Sequence, residues 1–156
     1  MRKAFLFAAL IAAASCGGSG SPAATSPAAT SPSANVPAAT VGVAQNAKLG
    51  QILVDGNGRT LYLFEADKGT ASTCYGSCAT YWPPLLTGGS PQAGTGANAS
   101  LLGTTKRTDG MTEVTYAGHP LYYVVTDHNP GDASGQGVNN FGALWDVVGP
   151  DGQKIG

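Results

Sequence analysis

A tyrosine is followed five positions later by an aspartate at Tyr62 and Asp67, and again at Tyr122 and Asp127, sixty positions on. A carboxylate can accept hydrogen bonds, hold a cation or serve in an acid–base pair, and a phenol can donate to it. Asp67 and Asp127 each follow an apolar stretch and sit beside turn residues, where an aspartate commonly accepts backbone N–H groups. Each tyrosine has a large ring to bury and a hydroxyl that needs a partner. One reading is structural, with the pair fastening a strand end to a loop once per repeat. Another brings Asp67 and Asp127 together near a pseudo-twofold axis, to bind a ligand or to work as a carboxylate pair. Identical placement counts against catalysis, because an acid and a base need different environments.

Cys74 and Cys78 are the other reactive groups. The third cysteine, Cys16, belongs to an N-terminal signal, so an even pair remains. In an oxidising compartment a structural disulfide is the default for such a pair. The small ring would shape a loop more than stabilise a domain. An exposed or strained bridge would be redox-active, so a redox or metal-handling accessory using Cys74 and Cys78 is the alternative function. The spacing is neither Cys-x-x-Cys nor a haem attachment site. His119 and His128 are the only histidines and complete no zinc pattern. The run from Asp127 to Asp132 lacks calcium-loop ligands at Gly131 and Val138. No Gly-x-Ser-x-Gly, phosphate-binding glycine loop or His-Glu-x-x-His is present. The expectation is therefore no catalytic residue, no metal and no cofactor.

These residues are set by a duplication. Val54, Gly58, Leu61, Tyr62 and Asp67 match Val114, Gly118, Leu121, Tyr122 and Asp127 at one offset, five coincidences within fourteen positions. Trp82 and Trp145 follow the shared aspartate by fifteen and eighteen residues and read as core residues of the two copies. Such repetition fixes architecture before purpose. Turn residues every eight to twelve positions and the lack of a helical period predict an all-β domain, a compact sandwich or barrel-like fold built from two β-repeats around one interior. Repeat one spans 49–86 and repeat two 101–150. Strands are predicted at 51–54 and 60–65 around Asp55-Gly-Asn-Gly58, and at 101–106 and 111–116 around Thr108-Asp-Gly110. Further strands are predicted at 121–126 and 144–148. Tyr62 and Phe64 share one face of their strand, Leu61 and Leu63 the other, so both faces should be covered. Pro83 and Pro84 argue against a central strand after Trp82.

The ends bound the location. Arg2 and Lys3 precede an apolar run of about eleven residues, too short for the roughly 20 a spanning helix needs. Ala13-Ala14-Ser15-Cys16 resembles a bacterial lipobox, which implies a signal peptide over 1–15 and lipidation of Cys16. Each buried acyl methylene would contribute about 0.8 kcal/mol to anchoring. Residues 17–46 carry no charge and no aromatic ring, and Ser-Pro-Ala-Ala-Thr is repeated at positions 21 and 26. Residues 16–46 are therefore expected to be a lipidated N-terminus and a disordered linker, spanning about 30 Å as a flexible coil. The domain is placed at 47–156, where six cations stand against nine acids, a net charge of −3. Only Lys106-Arg107 is a basic cluster, so nucleic acid is not an expected partner.

The strings Leu61-Tyr-Leu-Phe-Glu-Ala-Asp67, Cys74-Tyr-Gly-Ser-Cys78 with Trp82-Pro-Pro-Leu85, and Gly118-His-Pro-Leu-Tyr122 resemble a bacterial family of secreted lipoprotein repeats of unknown function, marked by tandem Tyr-x4-Asp motifs. The resemblance covers about 49–148. It implies an envelope location and a repeat layout, and it brings no activity. Taken together, the sequence predicts a lipid-anchored cell-envelope module on the extracytoplasmic side of the membrane; the alternative is a secreted protein cleaved by ordinary signal peptidase, since Ala13 stands where a lipobox usually has Leu. Its role is expected to be non-enzymatic, binding a small ligand or an envelope protein, or purely structural.

Overall fold

The computed structural model describes residues 36–156. The expected signal peptide, Cys16 and the linker up to residue 35 lie outside the described residues. Nine strands, one short α-helix and a 3-10 turn at Ala99–Leu101 occur among the described residues: β1 Thr40–Asn46, β2 Gly50–Asp55, β3 Tyr62–Phe64, α1 Ser77–Tyr81, β4 Gln92–Ala93, β5 Leu102–Lys106, β6 Thr112–Tyr116, β7 His119–Pro120, β8 Val138–Asn140 and β9 Ala143–Val147. They form three small sheets of order β2-β1-β4, β3-β9-β8 and β5-β6-β7. The all-β expectation is borne out, although no closed barrel forms among the described residues.

The domain begins earlier than residue 47. β1 pairs along its whole length with β2, from Val41 opposite Asp55 to Asn46 opposite Gly50, and Val41 is fully buried. Its Gly, Ala, Thr and Val residues have the same uncharged composition as the stalk, which hid the strand. The predicted hairpin at 101–116 forms with Leu102 opposite Tyr116 and Lys106 opposite Thr112. It occupies in repeat two the place that the β1–β2 hairpin holds in repeat one. A single helical turn, α1, stands where only a loop was expected.

The repeats exchange their last segments. In repeat two, β9 pairs antiparallel with β3 of repeat one, Tyr62 opposite Val147 and Phe64 opposite Trp145. Val148 then enters between two stretches of repeat one, donating its N–H to Leu61 and accepting from Leu53. The segment after Trp82 does the same in reverse. Leu85 donates to Leu121 at 2.8 Å and accepts from Val114 at 2.8 Å, both in repeat two. Leu85 and Val148 are thus equivalent, three residues past their tryptophans. No regular strand forms after Trp82, as Pro83 and Pro84 predicted, yet isolated bridges from Pro84 to Tyr122 and from Leu86 to Glu113 still seat the segment against repeat two. The ladder uses the carbonyl of Pro83, which accepts from Tyr123, and the N–H groups of Leu85 and Thr87, so the missing proline donors are not needed.

Two cores result rather than one interior. Tyr62, Phe64, Tyr122, Val124, Trp82, Trp145, Val147 and the two cysteines pack on one side. Leu61, Leu63, Leu121, Leu85, Val148, Val114 and Tyr116 pack on the other. The period-two alternation of residues 61–64 sends odd and even side chains to different cores, as the two apolar faces predicted.

Candidate functional site

At the centre of the domain Tyr62 and Tyr122 bridge each other. Each backbone N–H donates to the other's carbonyl at 2.9 Å. From this point the side chains run outward in a crossed pattern. The Tyr62 hydroxyl donates to Oδ2 of Asp127 at 2.6 Å, and the Tyr122 hydroxyl donates to Oδ2 of Asp67 at 2.6 Å. Each tyrosine therefore serves the acid of the other repeat, whereas the sequence suggested a pair within each repeat.

The second carboxylate oxygens are used symmetrically too. Oδ1 of Asp67 accepts from the backbone N–H and the hydroxyl of Thr73 at 2.7 and 2.6 Å. Oδ1 of Asp127 accepts from the N–H and hydroxyl of Ser134 at 3.0 and 2.6 Å. Both acids are buried, with 7% and 8% of their surface exposed. Burial pushes the Tyr62 hydroxyl far above its ordinary pKa, and the Asp127 carboxylate adds to this. For Tyr122 burial again dominates, helped by Glu113 and Asp67. Both phenols stay protonated donors in the native state. Of four depressions on the surface, one of about 390 Å³ is bordered by Asp67, His119 and Lys154, and none is bordered by Asp127. No cleft among these offers both carboxylates to one substrate.

The tryptophans meet between the two tyrosines. Trp82 and Trp145 stack at 4.0 Å with rings 6° from parallel, and Phe64 continues the stack on Trp145 at 4.1 Å. Tyr62 stands edge-on to Trp82 and Tyr122 edge-on to Trp145. The Trp145 N–H donates to Asn140 O, while the buried Trp82 N–H has no partner. Gly135 is required beside this stack, since a Cβ there would lie 2.7 Å from Trp82 and 2.8 Å from Tyr62.

Cys74 and Cys78 are joined as a disulfide that ties the loop before α1 to the helix's first turn. Both cysteines are buried, the first completely. His128 is exposed and His119 half-buried on β7. Among the described residues no group of three His, Cys, Asp or Glu side chains is placed to hold a metal ion.

The sequence missed a charged cluster beneath the cysteine loop. Arg107 donates to Glu113 at 2.7 Å, to Ser72 at 2.8 Å and to the carbonyl of Cys74 at 2.8 Å. The Tyr122 oxygen, its proton given to Asp67, accepts from the Ser72 hydroxyl at 2.7 Å, so the cluster is continuous with the Tyr122–Asp67 bond. Tyr75 lies over the guanidinium at 4.4 Å. Glu113 is fully buried and its Oε1 has no partner. Burial pushes its carboxyl up to about 7, against the opposing pull of Arg107. Burial alone would lower the Arg107 pKa, but Glu113 and Asp109 outweigh it and the guanidinium stays charged. The available clue was an acid amid the β6 strand with a cation just across its hairpin turn.

The crossed pairs and exchanged segments define a duplicated, interlocked β protein whose repeat motif is internal. A family model described as a secreted repeat of unknown function matches residues 43–86 and again residues 103–149, more than half of the chain. The chain belongs to that family, as its motifs suggested. No curated protein and no solved structure matches it. No helix among the described residues is long and apolar enough to cross a membrane.

Proposed function

We propose that this protein is a lipid-anchored module of the cell envelope, held through Cys16 on the outer side of the membrane, with a non-enzymatic binding or scaffolding role. The observation that carries the reading is the saturation of Asp67 and Asp127. Each uses both oxygens to hold a tyrosine of the other repeat and a loop of its own. Residues so engaged fix the fold, which leaves recognition to the outer surface. The family's description as secreted supports the location, and the uncharged stretch after Cys16 suits a tether.

Labelling cells with a fatty-acid analogue and fractionating their membranes tests the anchor. The native chain should carry the label and sediment with membranes, and Cys16→Ser should lose both. A labelled, membrane-bound Cys16→Ser protein would refute the reading. The rival, a redox accessory, requires access to sulfurs that are buried at Cys74 and Cys78. Rapid reduction of that bridge in the native protein by a small thiol would favour the rival.

A further inference from the structure

The geometry points to a proton-coupled radical trap in the core: an electron vacancy on the stacked Trp82–Trp145 pair passes to Tyr122, whose hydroxyl proton moves to Asp67. This goes beyond the binding or scaffolding role proposed above. It uses neither cysteine and does not depend on the anchor.

The rings lie in series. Trp82 and Trp145 overlap at 4.0 Å with planes 6° apart, so a vacancy on one indole is shared with the other. Tyr122 meets Trp145 edge-on, with ring centroids 5.2 Å apart. Its hydroxyl already donates to Oδ2 of Asp67 at 2.6 Å. Electron acceptor, phenol and proton acceptor are in contact before any oxidation, and only a proton has to move.

The stack cannot relieve a vacancy by itself. An oxidised indole becomes neutral by losing its N–H proton. The buried Trp82 N–H has no partner, and the Trp145 N–H donates to the carbonyl of Asn140, an amide oxygen too weakly basic to keep a proton. The oxidised pair therefore stays a cation, enclosed where the two residues are only 1% and 0% exposed. Unpaired charge in such surroundings is costly. One electron then moves from Tyr122 to the pair, while the O–H bond of the phenol breaks and an O–H bond forms on Asp67. A buried cation and a buried carboxylate become neutral indoles, a phenoxyl radical and a carboxylic acid. Because burial keeps the Tyr122 phenol protonated, its electron leaves together with the proton.

Two features select Tyr122 over Tyr62. The Tyr122 oxygen accepts from the Ser72 hydroxyl at 2.7 Å, and Ser72 in turn accepts from Arg107. Tyr62 has only the Gly135 N–H, at 3.3 Å. A phenoxyl oxygen that has given up its proton is stabilised by such a donor chain. The second feature is access. The depression of about 390 Å³ is bordered by Phe64 as well as Asp67, while none of the four depressions is bordered by Asp127. Phe64 stacks on Trp145 at 4.1 Å, so an oxidant in that depression is one ring away from the pair. The oxidant class is a small one-electron acceptor such as the azidyl or carbonate radical, which is reduced to its anion as the pair is oxidised.

The test uses the full chain in detergent and azidyl radicals made by pulse radiolysis. In the native protein the tryptophan-radical absorption should decay as the tyrosyl absorption grows, at a rate independent of protein concentration and slower in heavy water. Tyr122→Phe should lose more than half of the tyrosyl yield, and Tyr62→Phe should keep more than half. Electron paramagnetic resonance of the native radical, frozen after equilibration in light or heavy water, keeps the test independent of whether Tyr122→Phe folds. The trapped phenoxyl should show exchangeable-proton couplings from Ser72 and Asp67. A persistent tryptophan radical, a rate that scales with protein concentration, equal losses in the two variants, or a phenoxyl without those couplings overturns the proposal. None of these results touches the Cys16 labelling, so the anchor reading stands or falls separately.

Discussion

The hydroxyl of Tyr62 reaches the carboxylate of Asp127, sixty-five residues away, and passes over Asp67, which stands five residues along its own repeat. Tyr122 makes the mirror choice across the central backbone bridge. The repeat motif is therefore a clasp between copies, and its removal should be felt by the whole domain.

Replacing Tyr62 with Phe leaves a buried carboxylate oxygen of Asp127 without its donor. The expected loss is about 2 kcal/mol, with Tyr122→Phe at least as costly because Ser72 loses a bond as well. A double-mutant cycle between Tyr62 and Asp127 in urea unfolding should show coupling near 1 kcal/mol or more, whereas Tyr62 with Asp67 should be additive within about 0.5 kcal/mol.

Alkaline pH offers a second test of the same bonds. Tyr62 and Tyr122 have folded pKa values raised above the ordinary 10.0. Their contribution is intact below pH 10 and is lost as pH rises beyond it, since only the unfolded chain can release those protons. Stability should fall by about 1.4 kcal/mol per pH unit for each of these two phenols. Absorbance of ionised tyrosine should rise together with unfolding, and a rise at both positions in the native protein near pH 10 would refute the prediction.

Glu113 predicts a pH dependence in the neutral range. Its folded value of about 7 lies above the ordinary 4.5, so its contribution is fully present below pH 4.5 and is lost as pH climbs to about 7. The full step is about 3 kcal/mol as an upper figure. Glu113→Gln, which keeps an acceptor for Arg107, should flatten the stability profile between pH 5 and 7 relative to the native chain, a window set by the two values cited.

Breaking the same cluster from the other side should be more damaging. Arg107→Met strands Glu113 and frees the Cys74 carbonyl and Ser72, with an expected loss of about 3–5 kcal/mol. Arg107→Met combined with Glu113→Leu should recover a large part of it, which thermal unfolding at pH 7 would show.

Much of this fold was legible in the chain. The sixty-residue offset identified the copies, and the alternation at residues 61–64 announced a strand covered on both faces. Three things were not legible, each for a physical reason. β1 is made of small neutral residues that the stalk also uses, and its strand character comes from pairing with β2 rather than from its own pattern. Pro83 and Pro84 rightly excluded a regular strand after Trp82, but they hid that the carbonyl of Pro83 and the N–H groups of Leu85 and Thr87 still bridge to repeat two. The partner of each tyrosine was hidden because hydrogen bonds between copies depend on how chain segments cross, which spacing along one copy does not encode.

The traded Leu85 and Val148 segments bear on ancestry. A gene with one such unit would encode a polypeptide with a vacant seat that its own tail cannot reach, and only a twin molecule could fill it. The present chain then corresponds to such a twin pair fused head to tail, and copies of this unit are expected to work in even numbers.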